Sequence, residues 1–328
     1  MLQMFTLYAV VILGVAFASG QMQELDGEWE QFKTKFNKNY DDDEVQRRLT
    51  WEDNFDFINE HNRQFSDNEV TYQVAMNEFG DMDLEEFIST MTGLLSSDEK
   101  PEEKEFVDVE GLPKEVDWSK KGYVTPVYSQ GQCGSCWAFA ALGSLEGQHF
   151  KATGNLETLS AQNLIDCSGP EGNMGCNGGL MDQSYKYIEV NKGVDTNLSY
   201  PYVGQNGKCH FTRSGVGATQ KNFVDLPKGD ELALQKAVAE IGPIAVAIDA
   251  QAQGFQFYKS GVYVNKDCSP AILCHAGVVT GYGVQDGTDY WRFKNSWGTS
   301  WGMDGYMLTA RNHNNQCGIA SQSSYAIV

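Results

Sequence analysis

All eight cysteines of this 328-residue chain lie after residue 112, and this distribution divides the chain into two units of different chemistry. Residues 1–111 carry 26 acidic and 8 basic side chains, a net charge of −18, whereas residues 112–328 carry 18 and 16, a net charge of −2. The length allows one large domain or two ordinary ones. The acidic excess disfavours a nucleic-acid partner, because phosphate contacts require clustered lysine and arginine.

The first 20 residues have the pattern of a secretory signal peptide. Their apolar run, from Phe5 to Phe17, is too short to span a bilayer comfortably, and Ala16, Ala18 and Gly20 supply small residues at cleavage-site spacing. No Lys or Arg precedes the run, so a membrane anchor or a buried helix is the alternative. Secretory entry would place the protein in an oxidising compartment, where disulfides persist. No later segment predicts a membrane span.

Residues 25–62 have the periodicity of amphipathic helix, with apolar side chains three or four residues apart. The first stretch is marked by Leu25, Trp29, Phe32 and Phe36, and a second by Val45, Leu49, Phe55, Ile58 and Asn62. Residues 94–111 are polar and acidic with one proline, which predicts an extended, protease-accessible linker.

Beyond Leu112 the pattern predicts a helical half followed by a β half. A helix is expected from near Ser135 to just before Gly154, and Ser160 is a candidate cap for a shorter helix. Four strands are expected between glycine-rich turns, at residues 244–250, 276–284, 290–297 and 305–310.

The most specific motif runs from Gln130 to Trp137 with the sequence QGQCGSCW, and it places Cys136 at the start of the predicted helix. His275 and Asn295 follow Cys136 by 139 and 159 residues. A thiol attacks a carbonyl well only as thiolate, and both a helix N-terminus and a neighbouring imidazolium favour that form. Cys136 is therefore the candidate nucleophile and His275 its acid–base partner.

The remaining motif residues have candidate roles around this pair. Asn295 would hold the imidazole of His275 through a hydrogen bond, and Trp297 would shield that bond from water or simply belong to the core. The side-chain amide of Gln130 and the backbone N–H of Cys136 are candidate donors to the oxyanion of the tetrahedral intermediate.

Other uses of the cysteines compete with this interpretation. Cys133 and Cys136 could form a redox pair, but no thioredoxin-like βαβ pattern surrounds them, and His275 and Asn295 would then be unexplained. The spacing contains no paired zinc ligand sets, so we expect neither metal nor cofactor. Eight cysteines allow 105 pairings, and the residues alone do not choose among them.

The Gln130–Trp137 motif, followed by His275 and Asn295, resembles the papain family of cysteine proteases. The resemblance is to its cathepsin L group and covers nearly all of residues 25–328. The resemblance implies an α+β fold with two lobes, one helical and one β-barrel-like, an active site in the cleft between them, and a preceding helical prosegment. It further implies a signal peptide at residues 1–20, an inhibitory propeptide at 21–111 and the mature peptidase at 112–328.

The family's two propeptide motifs are present with substitutions. The interrupted helical motif has Asp and Trp in place of the usual Glu and Phe and consists of Asp43, Arg47, Trp51, Asn54, Ile58 and Asn62. The second is Asn77-Glu-Phe79-Gly-Asp81, with Ala75 where Gly is common. The resemblance implies that this prosegment lies backwards through the active-site cleft. Its acidity suggests self-activation below about pH 5, where carboxylates titrate.

The disulfide pairing is implied by the resemblance alone: Cys133–Cys176, Cys167–Cys209 and Cys268–Cys317, leaving Cys136 and Cys274 free. In the cathepsin L group Asp usually occupies the position of Cys274, next to the catalytic His. A neutral thiol removes a charge that favours imidazolium, so we expect a lower upper pH limit for activity than in relatives with Asp. The alternative is a passive substitution that points to solvent.

Substrate contacts are likewise implied by the resemblance. Gly178 and Gly179 would pair with the substrate backbone as a short antiparallel strand. The pocket for P2, the side chain two residues before the cleaved bond, would be lined by Leu180, Met181, Ala247, Leu273, Ala276 and Gln322. Gln322 replaces a small Ala at the pocket base, so we expect a shorter pocket that prefers Leu or Val over Phe.

The expected function is therefore a cysteine endopeptidase that acts on proteins and peptides, with its own propeptide and cystatin-type inhibitors as further partners. The expected location is the lysosome or the extracellular space, including a digestive lumen. Asn197 begins the only glycosylation sequon. The other histidines are expected to be surface or packing residues: His61, His149, His210 and His313.

The sequence disfavours three other functions. An exopeptidase would carry an extra segment that blocks the cleft, and none lies between Cys136 and Cys176. A catalytically inactive binding or storage protein would not require intact Gln130, Cys136, His275 and Asn295. A free inhibitor of the prosegment type would lack the enzyme half.

Overall fold

The computed structural model describes residues 25–96 and 108–328. The predicted signal peptide lies outside the described residues, as do residues 97–107 of the predicted linker. Leu94, the first residue of that linker, is buried, so the prediction of an accessible segment is wrong at its beginning.

The prosegment begins with two helices rather than one continuous helix. Helix α1 covers residues 25–36 and α2 is Glu44–Ser66. Between them Asn37 has a left-handed φ of 52°, which ends the first helix. The predicted apolar faces meet, because Trp29, Phe32 and Trp51 form a small core where the helices cross.

The rest of the prosegment docks on the enzyme half. Strand β1, Tyr72–Val74, pairs antiparallel with strand β7, Tyr258–Tyr263. Helix α3, Leu84–Met91, is capped by Asp83, whose side chain accepts a hydrogen bond from the N–H of Glu86. The prosegment thus adds a strand to the edge of the main sheet, a contact that the sequence pattern does not predict.

Three helices form the predicted helical half. Helix α4, Cys136–Thr153, ends at Gly154, whose φ of 74° suits a glycine terminator. Helix α5, Ala161–Cys167, begins with the predicted cap, because the Ser160 side chain accepts from the N–H of Asn163. Helix α6 is Met181–Asn191.

The β half is built around one mixed, mostly antiparallel sheet. The described strands are β2 (Val116–Asp117), β3 (Val194–Asp195), β4 (Val216–Ala218), β5 (Asn222–Asp225), β6 (Ile244–Ile248), β7 (Tyr258–Tyr263), β8 (His275–Gln285), β9 (Thr288–Lys294), β10 (Tyr306–Ala310) and β11 (Ser323–Ile327). Two short helices accompany them, α7 (Glu231–Glu240) and α8 (Gln253–Gln256). The sheet order is β1-β7-β10-β9-β8-β6-β11-β5, with β2 on β8 and a separate β3-β4 pair. All four predicted strands are present as β6, β8, β9 and β10.

Two apolar cores correspond to two lobes. One surrounds α4, α5 and α6, and the other fills the β lobe and includes prosegment side chains from α2, β1 and α3. The predicted α+β, two-lobed fold with a helical prosegment is confirmed. Within residues 25–96 and 108–328, no helix combines the length and hydropathy needed to cross a bilayer. Over the same ranges, no three His, Cys, Asp or Glu side chains form a group able to hold a metal ion.

Candidate active site

Cys136 is the first residue of α4, and no side chain caps this end of the helix. The hydroxyl of Ser135, in the cap position, instead shares a 2.9 Å hydrogen bond with the hydroxyl of Tyr202. The first turn contains no acidic residue. The positive end of the helix dipole therefore lies beside the thiol without a compensating charge.

His275 begins β8 and is fully buried. Its Nε2 lies 2.8 Å from Oδ1 of Asn295, and that oxygen also accepts the N–H of Ser296 at 2.8 Å. Because Oδ1 only accepts, Nε2 carries a proton. The indole of Trp297 packs on the imidazole with ring centroids 4.4 Å apart, and both rings are excluded from water. Trp297 therefore shields this hydrogen bond and belongs to the core at once.

The residue after His275 lies in the same buried cluster as the candidate nucleophile, because Ala276 and Cys136 both belong to the core of the helical lobe. Nδ1 of His275 is buried and has no hydrogen-bond partner among the described residues. Of the two ring nitrogens, Nε2 is thus committed to Asn295, and Nδ1 is the one free to exchange a proton with a thiol.

With the prosegment in place, burial favours the neutral form of both Cys136 and His275. Burial raises the pKa of the Cys136 thiol to about 12, against smaller opposing effects of backbone hydrogen bonds from Ala276, Trp137 and Gly93. Burial likewise lowers the pKa of His275 to about 4, although the hydrogen bond to Asn295 opposes this. Both shifts are due to burial, so the thiolate–imidazolium form expected from sequence requires that water reach the cleft.

Gln130 is buried and its side chain is held at both ends. Its Oε1 accepts from the hydroxyl of Ser296 at 2.7 Å, and its Nε2 donates to the carbonyl oxygens of Cys133 at 2.8 Å and Met91 at 3.1 Å. The amide is thus held in a fixed orientation. One of its hydrogen bonds is made to the carbonyl of Met91 in the prosegment.

The prosegment crosses the cleft in the opposite direction to the predicted substrate. Gly179 donates its N–H to the carbonyl of Gly93 at 3.0 Å, and Leu95 donates to the carbonyl of Gly179 at 3.1 Å. This bridge, centred on Leu94 and Gly179, is parallel, whereas the substrate pairing expected there is antiparallel. The reversed chain covers the reaction centre without presenting a bond in the orientation of a substrate.

Two of the six predicted P2 pocket residues, Leu273 and Gln322, line a groove of about 260 Å³ whose other lining includes Leu95 of the prosegment. The other four do not line this groove and lie in or against the apolar core of the helical lobe: Leu180, Met181, Ala247 and Ala276. The N–H of Ala247 donates to the carbonyl of Gln322, which ties Gln322 to β6.

The sequence does not predict several of the residues that line this groove. They are Lys228, Pro270, Ala271, Ile272 and Ser321. They come from separate loops and carry no motif, so only the tertiary structure brings them to the groove. Nε2 of Gln322 has no hydrogen-bond partner among the described residues, which leaves one amide donor at this site.

The disulfides are those implied by the family resemblance: Cys133–Cys176, Cys167–Cys209 and Cys268–Cys317. Within the described chain, Cys136 and Cys274 are free. Cys274 does not point to solvent. It is half-buried, its sulfur accepts the N–H of Ala250 at 3.4 Å, and burial raises its pKa to about 11.

The other predicted residues divide between core and surface. His61 is buried in the prosegment, His149 is half-buried, and His210 and His313 are exposed. Asn197 is half-buried, and its backbone N–H donates to the carbonyl of Thr158.

Comparison with known proteins identifies two matching families. Residues 112–327 match the papain family of cysteine proteases, and residues 29–87 match the cathepsin propeptide inhibitor domain, I29. The chain is 48% identical over 325 residues to Digestive cysteine proteinase 2 of Homarus americanus, covering 98% of this chain and 99% of that protein. It is 46% identical over 331 residues to Cathepsin L1 of Drosophila melanogaster, with 97% and 88% covered.

A solved structure with the same architecture is digestive procathepsin L 3 of Tenebrio molitor larval midgut. Its sequence is 42% identical to this chain, the TM-score is 0.86, and the match covers 93% of this chain and 99% of that one. A second, stem bromelain precursor, is 35% identical with a TM-score of 0.85.

Proposed function

Because this chain belongs to the papain family of cysteine proteases and is a cathepsin L-like zymogen, we propose that Cys136 is the nucleophile and His275 the acid–base partner of a peptide-bond hydrolase. The observation that carries these assignments is the arrangement of His275. One ring nitrogen is fixed by Asn295, the other is unpartnered, and the next residue, Ala276, is buried in one cluster with Cys136.

The mechanism follows from these positions. With the cleft open, Nδ1 of His275 takes the thiol proton, and the thiolate of Cys136 adds to the scissile carbonyl carbon. The resulting oxyanion accepts hydrogen bonds from Nε2 of Gln130 and the N–H of Cys136. His275 then protonates the leaving amine as the C–N bond breaks, leaving a thioester. Water, deprotonated by the same imidazole, hydrolyses the thioester and restores the thiol.

The prosegment supplies the inhibition. We assign residues 21–111 to the propeptide, 112–328 to the mature peptidase and 1–20 to a signal peptide. In support, residues 84–96 run from α3 into the cleft and occupy Gln130 and Gly179, both expected substrate contacts. Removal of this segment exposes the thiol and the imidazole to water and to substrate.

Acid activation is supported by carboxylates that hold the prosegment together. Glu44 of α2 accepts hydrogen bonds from Lys33 and Trp29 of α1, and these partners lower its pKa. Asp81 accepts from Lys38 at 2.8 Å. A carboxyl whose pKa is lowered by folding stabilises the fold above its ordinary pKa and loses that contribution as the pH falls through the folded value. Acidification therefore loosens the contact of α1 with α2.

The substrate class we propose is proteins and peptides with Leu or Val at P2, cleaved within the chain. An endopeptidase is favoured over an exopeptidase because no inserted segment between Cys136 and Cys176 blocks the cleft. An inactive binding protein on the same fold is disfavoured by the intact arrangement of Gln130, His275 and Asn295. No metal or cofactor takes part in the proposed reaction.

We further propose passage through the secretory pathway to the lysosome or the extracellular space, glycosylation at Asn197 and inhibition by cystatin-type proteins. Relatives named digestive proteinases support a digestive lumen as the extracellular site.

The deciding experiment is labelling of the acid-processed protein with a thiol-directed peptide reagent, read out together with peptide hydrolysis. The wild type and a Cys274→Ser variant should both incorporate one equivalent and lose activity. Cys136→Ala, which cannot process itself, should incorporate none and show no hydrolysis after the same acid treatment. Hydrolysis that survives in Cys136→Ala would refute the assignment.

A further inference from the structure

A buried polar bridge lies between the two lobes, outside the reacting groups. The hydroxyl of Thr125 donates to Oε2 of Glu146 at 2.7 Å and accepts from Nζ of Lys294 at 3.1 Å. The N–H of Leu159 donates to Oε1 of Glu146 at 3.0 Å. Thr125, Glu146 and Lys294 are only 3%, 5% and 8% exposed. Charged side chains are seldom buried this far, so the bridge calls for an explanation.

The bridge joins the two elements that carry the catalytic groups. Glu146 lies on α4, the helix that begins with Cys136, about three turns further along. Lys294 is the last residue of β9, immediately before Asn295. Any movement of the helix relative to the strand would change the position of His275, through Asn295, relative to the thiol.

A small pocket lies beside the bridge. It has a volume of about 40 Å³ and is lined by Thr125, Glu146, Lys294 and Asn295, with Ala140 and Val278 among the apolar residues. Helix α4 packs closely on β8 next to it, because a Cβ at Gly143 would lie 2.7 Å from the side chain of Val278. Beside Asn295 the pocket takes the place of such contacts, and the bridge supplies directional contacts there.

Electrostatics support a geometric role rather than a stabilising one. Burial raises the pKa of Glu146 and lowers that of Lys294, and the charge of each partner opposes the effect of burial on the other. Glu157 is a further charge acting on Glu146, and it raises the same pKa. A buried pair of this kind contributes little net stability compared with apolar side chains of the same size. It does restrict the relative positions of the two elements that carry it.

We propose that Thr125, Glu146 and Lys294 are positioning residues, which hold the strand carrying Asn295, and with it the imidazole of His275, in register with the helix carrying Cys136. The proposal rests on the catalytic roles proposed above. Misplacement of reacting groups by about 1 Å costs on the order of 100-fold in rate, so small shifts of the bridge are expected to appear in the chemical step.

The test uses acid-processed enzyme with Thr125→Val, which keeps the shape but removes the bridging hydroxyl, and Thr125→Ser as the matched control that retains it. Three quantities are measured: kcat and KM for a peptide substrate, and the pH dependence of Cys136 alkylation by iodoacetamide. For Thr125→Val we expect kcat to fall about tenfold or more with KM within about twofold. Alkylation at pH 6 should slow and its pH profile move upward. Thr125→Ser should recover most of the loss.

A lower unfolding temperature with unchanged kcat and alkylation profile would make the bridge merely structural and overturn the proposal. If Thr125→Val is recovered unfolded, the double variant Glu146→Gln with Lys294→Met, which leaves no unpaired charge, decides by the same readouts. Failure of the catalytic assignment is separate, because the wild type would then show neither hydrolysis nor alkylation at Cys136.

Discussion

The carbonyl oxygen of Met91 accepts a hydrogen bond from the side-chain amide of Gln130 at 3.1 Å, and the indole N–H of Trp297 donates to the same oxygen at 3.1 Å. A prosegment carbonyl thus occupies the donor that we assign to the oxyanion of the reaction. The zymogen keeps this donor oriented and uses it for inhibition. Under this assignment, the side-chain amide of Gln130 serves both catalysis and inhibition.

Replacing Gln130 by Ala should lower kcat of the processed enzyme by about 10²–10³-fold, since one oxyanion donor is typically worth that much. KM should change little, because the donor acts mainly on the transition state. Steady-state kinetics on a peptide substrate measure both quantities. A kcat within about threefold of wild type would remove Gln130 from the mechanism.

Gly93→Ala should loosen the prosegment at neutral pH. A Cβ at this position would overlap the backbone carbonyl of Gly134, with no flexible side chain to yield. Overpacking of this kind costs roughly 1–3 kcal/mol, so thiol labelling of Cys136 in the intact zymogen at pH 7 should rise about tenfold.

The matched control is Gly27→Ala, where no heavy atom lies within 4 Å of the added Cβ. It should label as slowly as the wild type. Equal labelling of Gly93→Ala and Gly27→Ala would show that the close approach of Gly93 to Gly134 does not maintain inhibition.

His61 should contribute to the pH at which the zymogen opens. Its Nε2 lies 3.0 Å from the carbonyl oxygen of Tyr72 in the docking strand β1, and burial lowers its pKa. A His whose pKa is lowered by folding stabilises the docked state above its ordinary pKa of about 6.5, and that contribution is lost as the pH falls toward the folded value.

His61→Gln keeps an N–H donor but does not titrate, so the midpoint of autoprocessing should move down by about half a pH unit. The control is His313→Gln, at an exposed position of the mature domain. Processing followed by gel at a series of pH values gives the midpoint. If both variants process with the wild-type midpoint, His61 takes no part in activation.

Cys274 should limit activity at high pH. Burial raises the pKa of its thiol to about 11, so the side chain next to His275 is neutral wherever the enzyme works. Cys274→Asp would place a negative charge there, favour imidazolium and move the alkaline limb of kcat/KM upward by about 0.5–1 pH unit. Cys274→Ser, which stays neutral, should leave the limb in place. Identical limbs for Asp and Cys would contradict the prediction.

Gln322 should set the preference at P2. It lines the same groove as Leu273 and is larger than Ala, so a peptide library should show Leu or Val ahead of Phe for the wild type. Gln322→Ala should raise the Phe-to-Leu ratio of kcat/KM about tenfold, as expected for a change in pocket depth. A clear Phe preference in the wild type would refute the role of Gln322.

How far the sequence predicts this protein can be seen from particular elements. The sequence predicts helix α4 within a residue at each end, because its apolar stretch begins after Ser135 and Gly154 is a local signal that acts through the backbone of its own segment. The strand pattern of β6 and β8 was likewise readable from residues close in sequence. The break at Asn37 was not, since an isolated asparagine is compatible with both a helix interior and a turn.

Local signals do not predict the pairing of strand β1 or the groove that contains Gln322. Tyr72 pairs with Gly261, and Leu273 and Gln322 line one groove, only because distant segments fold together. The buried bridge of Thr125, Glu146 and Lys294 is similar: each residue type alone would be assigned to the surface. Whether these three side chains are buried, and which groups they hydrogen-bond to, depends on the folded chain.

The amino-acid sequence by itself determined the fold class, the zymogen organisation and the identity of the candidate nucleophile, because these depend on residue types in order along the chain. The tertiary structure alone decided that burial raises the pKa of the Cys136 thiol and lowers that of the His275 imidazole. Both shifts depend on local solvation, which is set by residues distant in sequence, Trp297 and the prosegment among them, and therefore only by the folded chain.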